Sequence, residues 1–405
     1  MAKPAGPGSD PRIWCLAIGE TLIWAASLYL FPALLPYWER DLGWSKTELT
    51  AAFTGALVVS AMLSPLAGKL VDQGFGRTLL TGSTLLIALL LVTLAHMQSY
   101  TMFVMLWLAI GACMAGALYD PCFAFVMHTR GDAARRAITL ITLVAGFAGT
   151  VSFPISSFVA EYGGWRLATW VFAALAIGIA APCFWFGTRV TSSDPIVTRE
   201  NPENGQIDHA FRRALGVLTF WLLGGCFALM YLNHGTVLTH LLPMLSERGI
   251  GIEYAVFTIS LIGPAQVAGR LIMIVAERWL SMGTIALASM VVLILAAACL
   301  LASNAWPLLL PFAAVMQGAA LGVSSIVRPV VTATLLGRES FGAIAGAIAL
   351  PVMLAMAFAP SLGAALWHVA GYDMTFGINV LLAVMATAML GLALARGPAP
   401  WVKDH

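Results

Sequence analysis

The sequence predicts an all-α integral membrane protein of twelve transmembrane helices, arranged as two pseudo-symmetric six-helix halves. Three observations carry this. The 405-residue chain is 60% hydrophobic and only 10% charged, with a mean hydropathy of +0.89, whereas a soluble domain carries roughly 25% charged residues. Twelve apolar runs are present, and about 20 such residues span the hydrocarbon as a helix. Finally, Asp120-Pro121 and Arg328-Pro329, each inside an apolar run, lie 208 residues apart, and the same offset joins Glu39-Arg40-Asp41-Leu42-Gly43 to Glu247-Arg248-Gly249-Ile250-Gly251, Arg130 to Arg338, and Gly163 to Gly371. A period this long is a duplicated half rather than a solenoid repeat.

A polar tail, residues 1–12, precedes the first run and shows no small-residue cleavage site, so that run is expected to stay as a span. The N-terminal half, 13–187, holds runs near 13–37, 47–71, 78–97, 101–128, 137–159 and 166–187. Ser45-Lys46-Thr47-Glu48 has capping-box spacing and marks the start of the second helix. A linker follows at 188–213, where Ser192, Ser193, Asp194, Pro195, Asn201, Pro202, Asn204 and Gly205 favour turns and disorder. The C-terminal half, 214–396, holds runs near 214–244, 253–276, 281–302, 306–336, 341–369 and 374–395, and 397–405 form a second tail. Pro32, Pro36, Pro121, Pro154, Pro264, Pro351 and Pro360 fall inside these runs and read as kinks that neighbouring helices accommodate.

The net charge of +2 has no basic face or soluble domain to carry it, so no nucleic-acid partner is expected. The distribution of charge is informative. With the N-terminus inside, Lys3, Arg12, Lys69, Arg77, Arg130, Arg135, Arg136, Arg189, Arg199, Arg212, Arg213, Arg278, Arg338, Arg396 and Lys403 face the cytoplasm. Only Arg40, Lys46, Arg166 and Arg248 then face outward, and this asymmetry places both termini inside. The six cysteines all lie in apolar runs without a CxxC, which favours packing over disulfides or zinc. No nucleophile motif or His/Cys/carboxylate cluster with metal spacing occurs, so neither an enzyme nor a cofactor is expected.

Gly68-Lys69-Leu70-Val71-Asp72-Gln73-Gly74-Phe75-Gly76-Arg77, between the second and third runs, resembles the signature loop of the major facilitator superfamily. The resemblance implies a transporter fold in which Asp72, with Gly68, Gly76 and Arg77, meets helix ends and basic groups and stabilises an outward-facing state. Gln73 stands where that family usually has a basic residue. Gly43-Trp44-Ser45, Leu118-Tyr119-Asp120-Pro121 with Phe123, Pro154, Gly164-Trp165-Arg166 and Gly269-Arg270 are similar to motifs of the monocarboxylate-porter-like group. That likeness implies that Arg270 binds a substrate carboxylate. The group's animal members carry an aspartate where this chain has Gln266, and a lysine in the first span that is absent here. Its oxalate exchangers use a lysine in span eleven, also absent. One cationic anchor implies a singly charged anion.

Paired halves of this kind are the usual architecture of secondary transporters. The leading expectation is therefore an alternating-access carrier of a small organic anion, monomeric and seated in a bacterial inner membrane. Arg270 suits a carboxylate because a guanidinium stays charged and donates two parallel hydrogen bonds; the competing reading is an internal ion pair. Tyr29, Tyr119, Tyr231, Asn233, His234, Gln266 and Gln317 are the other candidate substrate contacts, with His240 following near the end of span seven. Glu20, Asp120 and His234 are candidate proton carriers; Glu20 could equally partner a buried cation, and His234 could be a packing residue. Asp120 and Arg328 are expected to pair as a gate, the alternative being that each is satisfied within its own half. A proton-coupled multidrug or cation exporter is the rival, given two acids in the first half. The fifth span lacks the Gly-Pro-x-x-Gly-Gly pattern of drug antiporters.

Overall fold

A computed structural model describes residues 10–190 and 204–402, which contain helices and turns and no strand. Lys3, Arg199, Lys403 and the Ser192 to Pro202 stretch lie outside the described residues. The first helix, α1 (Pro11–Ala26), begins with Asp10 accepting from the Arg12 amide at 2.9 Å and Pro11 at its first position. After a turn at Ser27, α2 (Leu30–Leu42) ends on Gly43, whose φ of 69° suits glycine at a helix C-terminus. The Ser45/Glu48 capping box opens α3 (Lys46–Leu70). A wide turn at Val71–Phe75 leads into α4 (Gly76–Ala95). The first half continues with α5 (Tyr100–Ala117), α6 (Tyr119–Arg130), α7 (Ala134–Ala145), α8 (Ala148–Leu175) and α9 (Ala181–Gly187).

The linker ends sooner than expected. Residues 204–215 form α10 (Asn204–Leu215), because positions 207, 210, 211 and 214 carry Ile, Ala, Phe and Ala at helical spacing and outweigh the local turn formers. Beyond it run α11 (Leu218–Glu247), α12 (Ile252–Ser260), α13 (Ile262–Ala276), α14 (Met282–Ala302), α15 (Leu309–Leu336) and α16 (Phe341–Arg396).

Among the described residues, nine continuous helical stretches are long and apolar enough to cross a membrane, and three of them run to 50, 54 and 56 residues. A straight helix of 56 residues would be ~84 Å long, against about 30 Å of hydrocarbon. Each of the three folds at a glycine: Gly74 (φ 91°), Gly164 (φ 75°) and Gly371 (φ 71°). The nine stretches therefore supply the twelve crossings of the sequence reading.

Several spans are broken, and the prolines explain where. Pro32, Pro121 and Pro264 are each the third residue of a new helix, after breaks at Ser27 to Tyr29, Leu118 and Leu261. Proline cannot bond to the carbonyl four residues back and collides with it, so the preceding turn opens, while the first turn of a helix needs no such bond. The fifth span is broken at Gly146 and Phe147 instead, and Pro154 lies inside α8. Arg328-Pro329 differs from Asp120-Pro121 in lying within the uninterrupted α15. The turn glycines refine the repeat. Gly43 and Gly249 are separated by 206 residues, Gly131 and Gly337 by 206, and Gly164 and Gly371 by 207. The backbone repeat thus runs one or two residues short of the 208 that aligns the charged pairs, and Gly371 answers to Gly164 rather than Gly163.

The chain forms two compact units: Met1–Phe211 with Glu339–Leu350, and Arg212–Arg338 with Pro351–His405. In the first, α1 packs on α7, α8 and α9, α3 packs on α5, and α4 on α5 and α8. Its core includes the fully buried Trp38, Trp107, Trp165 and Phe103, with Phe31 and Trp107 edge to face at 4.9 Å. In the second, α15 packs on α13 and α14 over Leu241, Met244, Leu300, Leu310 and Phe376. Arg248 closes one end of this unit, reaching Ser303 at 2.9 Å and Asp373 at 2.7 Å.

Candidate functional site

In the first unit, three broken spans bring Glu20, Trp24, Tyr29 and Tyr119 together. Glu20 is fully buried on α1; Trp24, one turn on, donates its indole N–H to Glu20 Oε2 at 3.1 Å. Among the described residues Glu20 Oε1 has no hydrogen-bond partner, and the Cys122 thiol and the Asp120 carboxyl are near the Glu20 carboxyl group. The Trp24 ring lies 4.5 Å from that of Tyr119 and 6.3 Å from that of Tyr29. Tyr119 stacks on Phe123 at 4.9 Å, and Tyr29 meets the half-exposed Phe153 edge to face. Tyr29 and Tyr119 both stand beside helix breaks. Trp24 was not singled out by sequence, although a tryptophan four residues after an intramembrane acid is the signal that would have found it.

In the second unit, Arg270 on α13 is 4% exposed. Its Nε donates to the Gly322 carbonyl at 3.2 Å and to Ser325 Oγ at 3.3 Å, both on α15. Its Nη1 is buried without a partner, and no carboxylate pairs with it among the described residues. The helices can come this close because Gly269, Gly318 and Gly322 lie against backbone atoms of Ala319, Ile262 and Gln266, where a Cβ would collide. Gln266 itself is half-buried on α13.

A second polar group forms where α11, α15 and α16 meet. The Asn233 amide donates to the Asn379 carbonyl at 2.9 Å, and the Asn379 amide returns a bond to the Asn233 carbonyl at 3.4 Å. Gln317 Nε2 donates to Asn233 Oδ1 at 3.1 Å and lies 3.4 Å from His234 Nδ1. Asn233, His234, Gln317 and Asn379 are all buried, and Gln317 Oε1 is left without a partner. Among the described residues these side chains make no hydrogen bond to Arg270, whose own bonds go to Gly322 and Ser325. Tyr231 is half-buried, and His240 Nε2 bonds the Pro360 carbonyl at 2.9 Å. Asn379 was missed by sequence, though an asparagine within an apolar span is rare enough to have been a signal.

In the loop after α3, Asp72 has a side chain only 2% exposed. Its Oδ1 accepts from the Gly342 amide at 2.7 Å, and Oδ2 from the Ala343 amide at 2.8 Å, so it caps the start of α16. Its basic neighbour is His128 Nε2 at 2.6 Å. Gly68 faces the Gly342 carbonyl where any Cβ would overlap, and Gly76 packs under the Phe125 ring. Arg77 turns away, its guanidinium 3.5 Å above the Trp185 ring. Asp120 belongs to the first unit and Arg328 to the second.

Two bodies of spanning helices, with broken spans and buried ionisable groups, define a polytopic membrane protein. The sequence pattern of the Major Facilitator Superfamily matches residues 16–302, and the chain belongs to that superfamily. It is an integral membrane transporter and not an enzyme. Among solved structures, the human organic anion transporter MFSD10 (TETRAN) superposes with TM-score 0.70 at 16% identity, over 94% of this chain and 98% of that one. A point variant of the E. coli fucose:proton symporter FucP gives 0.69 at 13% identity, over 93% and 97%. FucP in the outward conformation gives 0.71 at 12% identity, over 96% and 99%. At these identities the likeness is one of fold. An uncharacterized 38 kDa protein in a 23S RNA operon of Thermoproteus tenax is 27% identical over 221 residues, which are 54% of this chain and 55% of that protein. The chain thus spans about half the length of that relative.

Proposed function

We propose that the protein is a secondary transporter of a small organic anion, a monocarboxylate, working by alternating access. The observation that carries this is the buried guanidinium of Arg270, oriented by Gly322 and Ser325 through Nε while Nη1 stays unpartnered. An arginine at the centre of a spanning helix costs about 2.5–3.5 kcal/mol on insertion scales, and such residues mark substrate or ion pathways. A bound carboxylate would supply both the missing charge and the missing acceptor. The organic anion transporter among the fold relatives supports the same reading. Tyr231, Asn233, His234, Gln266 and Gln317 are the further candidate contacts in this unit, and Tyr29 and Tyr119 those in the first. Glu20, Asp120 and His234 are proposed proton carriers, in keeping with a fucose:proton symporter of this fold. Asp120 and Arg328 are proposed to act as a gate, on the strength of their repeated Xaa-Pro context. The charge distribution supports cytoplasmic termini and an inner-membrane location.

The experiment is a thermal-stabilisation screen of the purified protein against short monocarboxylates, since a ligand that binds only the folded state raises its apparent stability. Arg270→Ala is expected to lose the response and Arg270→Lys to keep it at reduced affinity. Unchanged stabilisation and uptake in Arg270→Ala overturn the reading. The acid and aromatic rings around Glu20 favour a second reading, export of an organic cation. Stabilisation by cations that vanishes in Glu20→Gln, with no response to carboxylates, would select it.

A further inference from the structure

We propose that Gln317 and His234 form a second substrate subsite that takes an uncharged hydroxyl group, so that the transported monocarboxylate carries a hydroxyl several carbons away from its carboxylate. The substrate class rests on the reading of Arg270 as the carboxylate anchor, whereas the subsite itself stands on the bonding among α11, α15 and α16.

The hydrogen bonds of this cluster can be oriented from one fixed end. The Asn379 backbone carbonyl can only accept, so the Asn233 atom that bonds it at 2.9 Å is the amide nitrogen, and Asn233 Oδ1 is left as an acceptor. Gln317 meets that oxygen at 3.1 Å and must turn its own amide nitrogen toward it. Turning Gln317 over would set Oε1 against Oδ1, two acceptors with no proton between them. Gln317 Nε2 also lies 3.4 Å from His234 Nδ1, so Nδ1 accepts and the imidazole carries its proton on Nε2.

The network thus leaves an acceptor, Gln317 Oε1, beside a ring whose free nitrogen is a donor. Gln317 is fully buried, and Oε1 has no partner among the described residues. A buried acceptor left unbonded forfeits its hydration without return. Packing does not call for it, since the reciprocal Asn233 and Asn379 bonds already tie α11 to α16. A hydroxyl is the smallest group that can both donate to Oε1 and accept from an imidazole N–H. A carboxylate brings no proton to Oε1, and an ammonium cannot accept.

The spacing along α15 sets how far the hydroxyl must be from the carboxylate. Gln317, Gly322 and Ser325 lie on this one uninterrupted helix, and the last two hold Arg270. At 1.5 Å per residue, Gln317 is about 7.5 Å along the axis from Gly322 and about 12 Å from Ser325. A 2-hydroxy acid, with its two groups on adjoining carbons, is too short to engage both. A hydroxyl at the far end of a chain of about six carbons has the reach, given C–C bonds of about 1.5 Å.

The test is the affinity of the purified full-length protein, read by thermal stabilisation, for hexanoate, 2-hydroxyhexanoate, 6-hydroxyhexanoate and hexane-1,6-diol. 6-Hydroxyhexanoate is expected to bind about tenfold tighter than hexanoate, the order of one buried hydrogen bond, and tighter than its 2-hydroxy isomer. In Gln317→Met, which keeps the bulk and removes the acceptor, 6-hydroxyhexanoate and hexanoate should bind alike. Where that variant does not fold, the wild-type comparison of the two isomers decides. Equal affinity for the three acids, or a preference for the 2-hydroxy isomer, keeps Arg270 as anchor and overturns the subsite; a water that stays on Oε1 gives the first of these results. A 6-hydroxy preference that survives in Gln317→Met overturns the assignment to Gln317. Stabilisation by the diol in the wild type but not in Gln317→Met, with no response to any acid, keeps the subsite and removes the carboxylate anchor. No response to acids or diol overturns the proposal.

Discussion

At the scale of single residues, the ionisable groups inside apolar runs were visible from sequence because each one is costly unless used or paired. Glu20, Arg270 and His234 all proved buried. Their partners were not visible in the same way. Trp24 bonds Glu20 within one helix, but Ser325, Asn379 and His128 meet Arg270, Asn233 and Asp72 across 55, 146 and 56 residues of chain. Sequence spacing carries no record of such meetings. The proposed Asp120 and Arg328 gate is tested by exchange. Transport should fall strongly in Asp120→Arg and in Arg328→Asp and recover in the double variant. A double variant as inactive as the singles removes direct pairing.

At the scale of elements, the prolines were legible as interruptions, and the rule they follow became clear only from the backbone. Three of them occupy the third position of a new helix, so the break lies upstream of the proline and not at it. The close packing of α3 on the start of α16 yields a prediction. A Cβ at Gly342 would collide with the Gly68 carbonyl and crowd Asp72 Oδ1. Gly342→Ala should cost about 1–3 kcal/mol, the usual range for overpacking, measured by unfolding in mixed micelles. Gly82→Ala, which meets nothing within 4 Å, should be close to neutral. The start of α1 yields another. Burial by itself raises the Asp10 pKa, but hydrogen bonds from the Arg12 side chain and amide, with the Arg130 charge, outweigh it and hold the carboxyl below its ordinary 3.8. A depressed carboxylate contributes its stability above the unfolded pKa and loses it as pH falls through the folded one. Asp10→Asn should therefore lower the thermal midpoint at neutral pH, and the gap should close on acidification below the ordinary value. A gap that persists in acid would assign the effect to packing.

At the scale of the whole molecule, composition and run length determined an integral membrane protein with twelve crossings, because hydrocarbon thickness sets span length regardless of how the helices pack. The count of nine continuous stretches became twelve crossings through three glycine turns. The excess of Lys and Arg on one side predicts cytoplasmic termini. A fluorescent protein fused at the C-terminus should be bright and an alkaline phosphatase fusion inactive, and the opposite result would invert the topology. The signature loop and the charged residues were likewise written in the sequence, since each depends on local chemistry. Only tertiary structure decided that the backbone repeat runs at 206 or 207 residues rather than 208. Only it placed the cap of α16 on Asp72 beside His128 and left Arg270 without a counter-ion among the described residues. The physical reason is that apolarity and helix breaking are properties of neighbouring residues along the chain, whereas satisfaction of a buried charge depends on what distant segments bring to it.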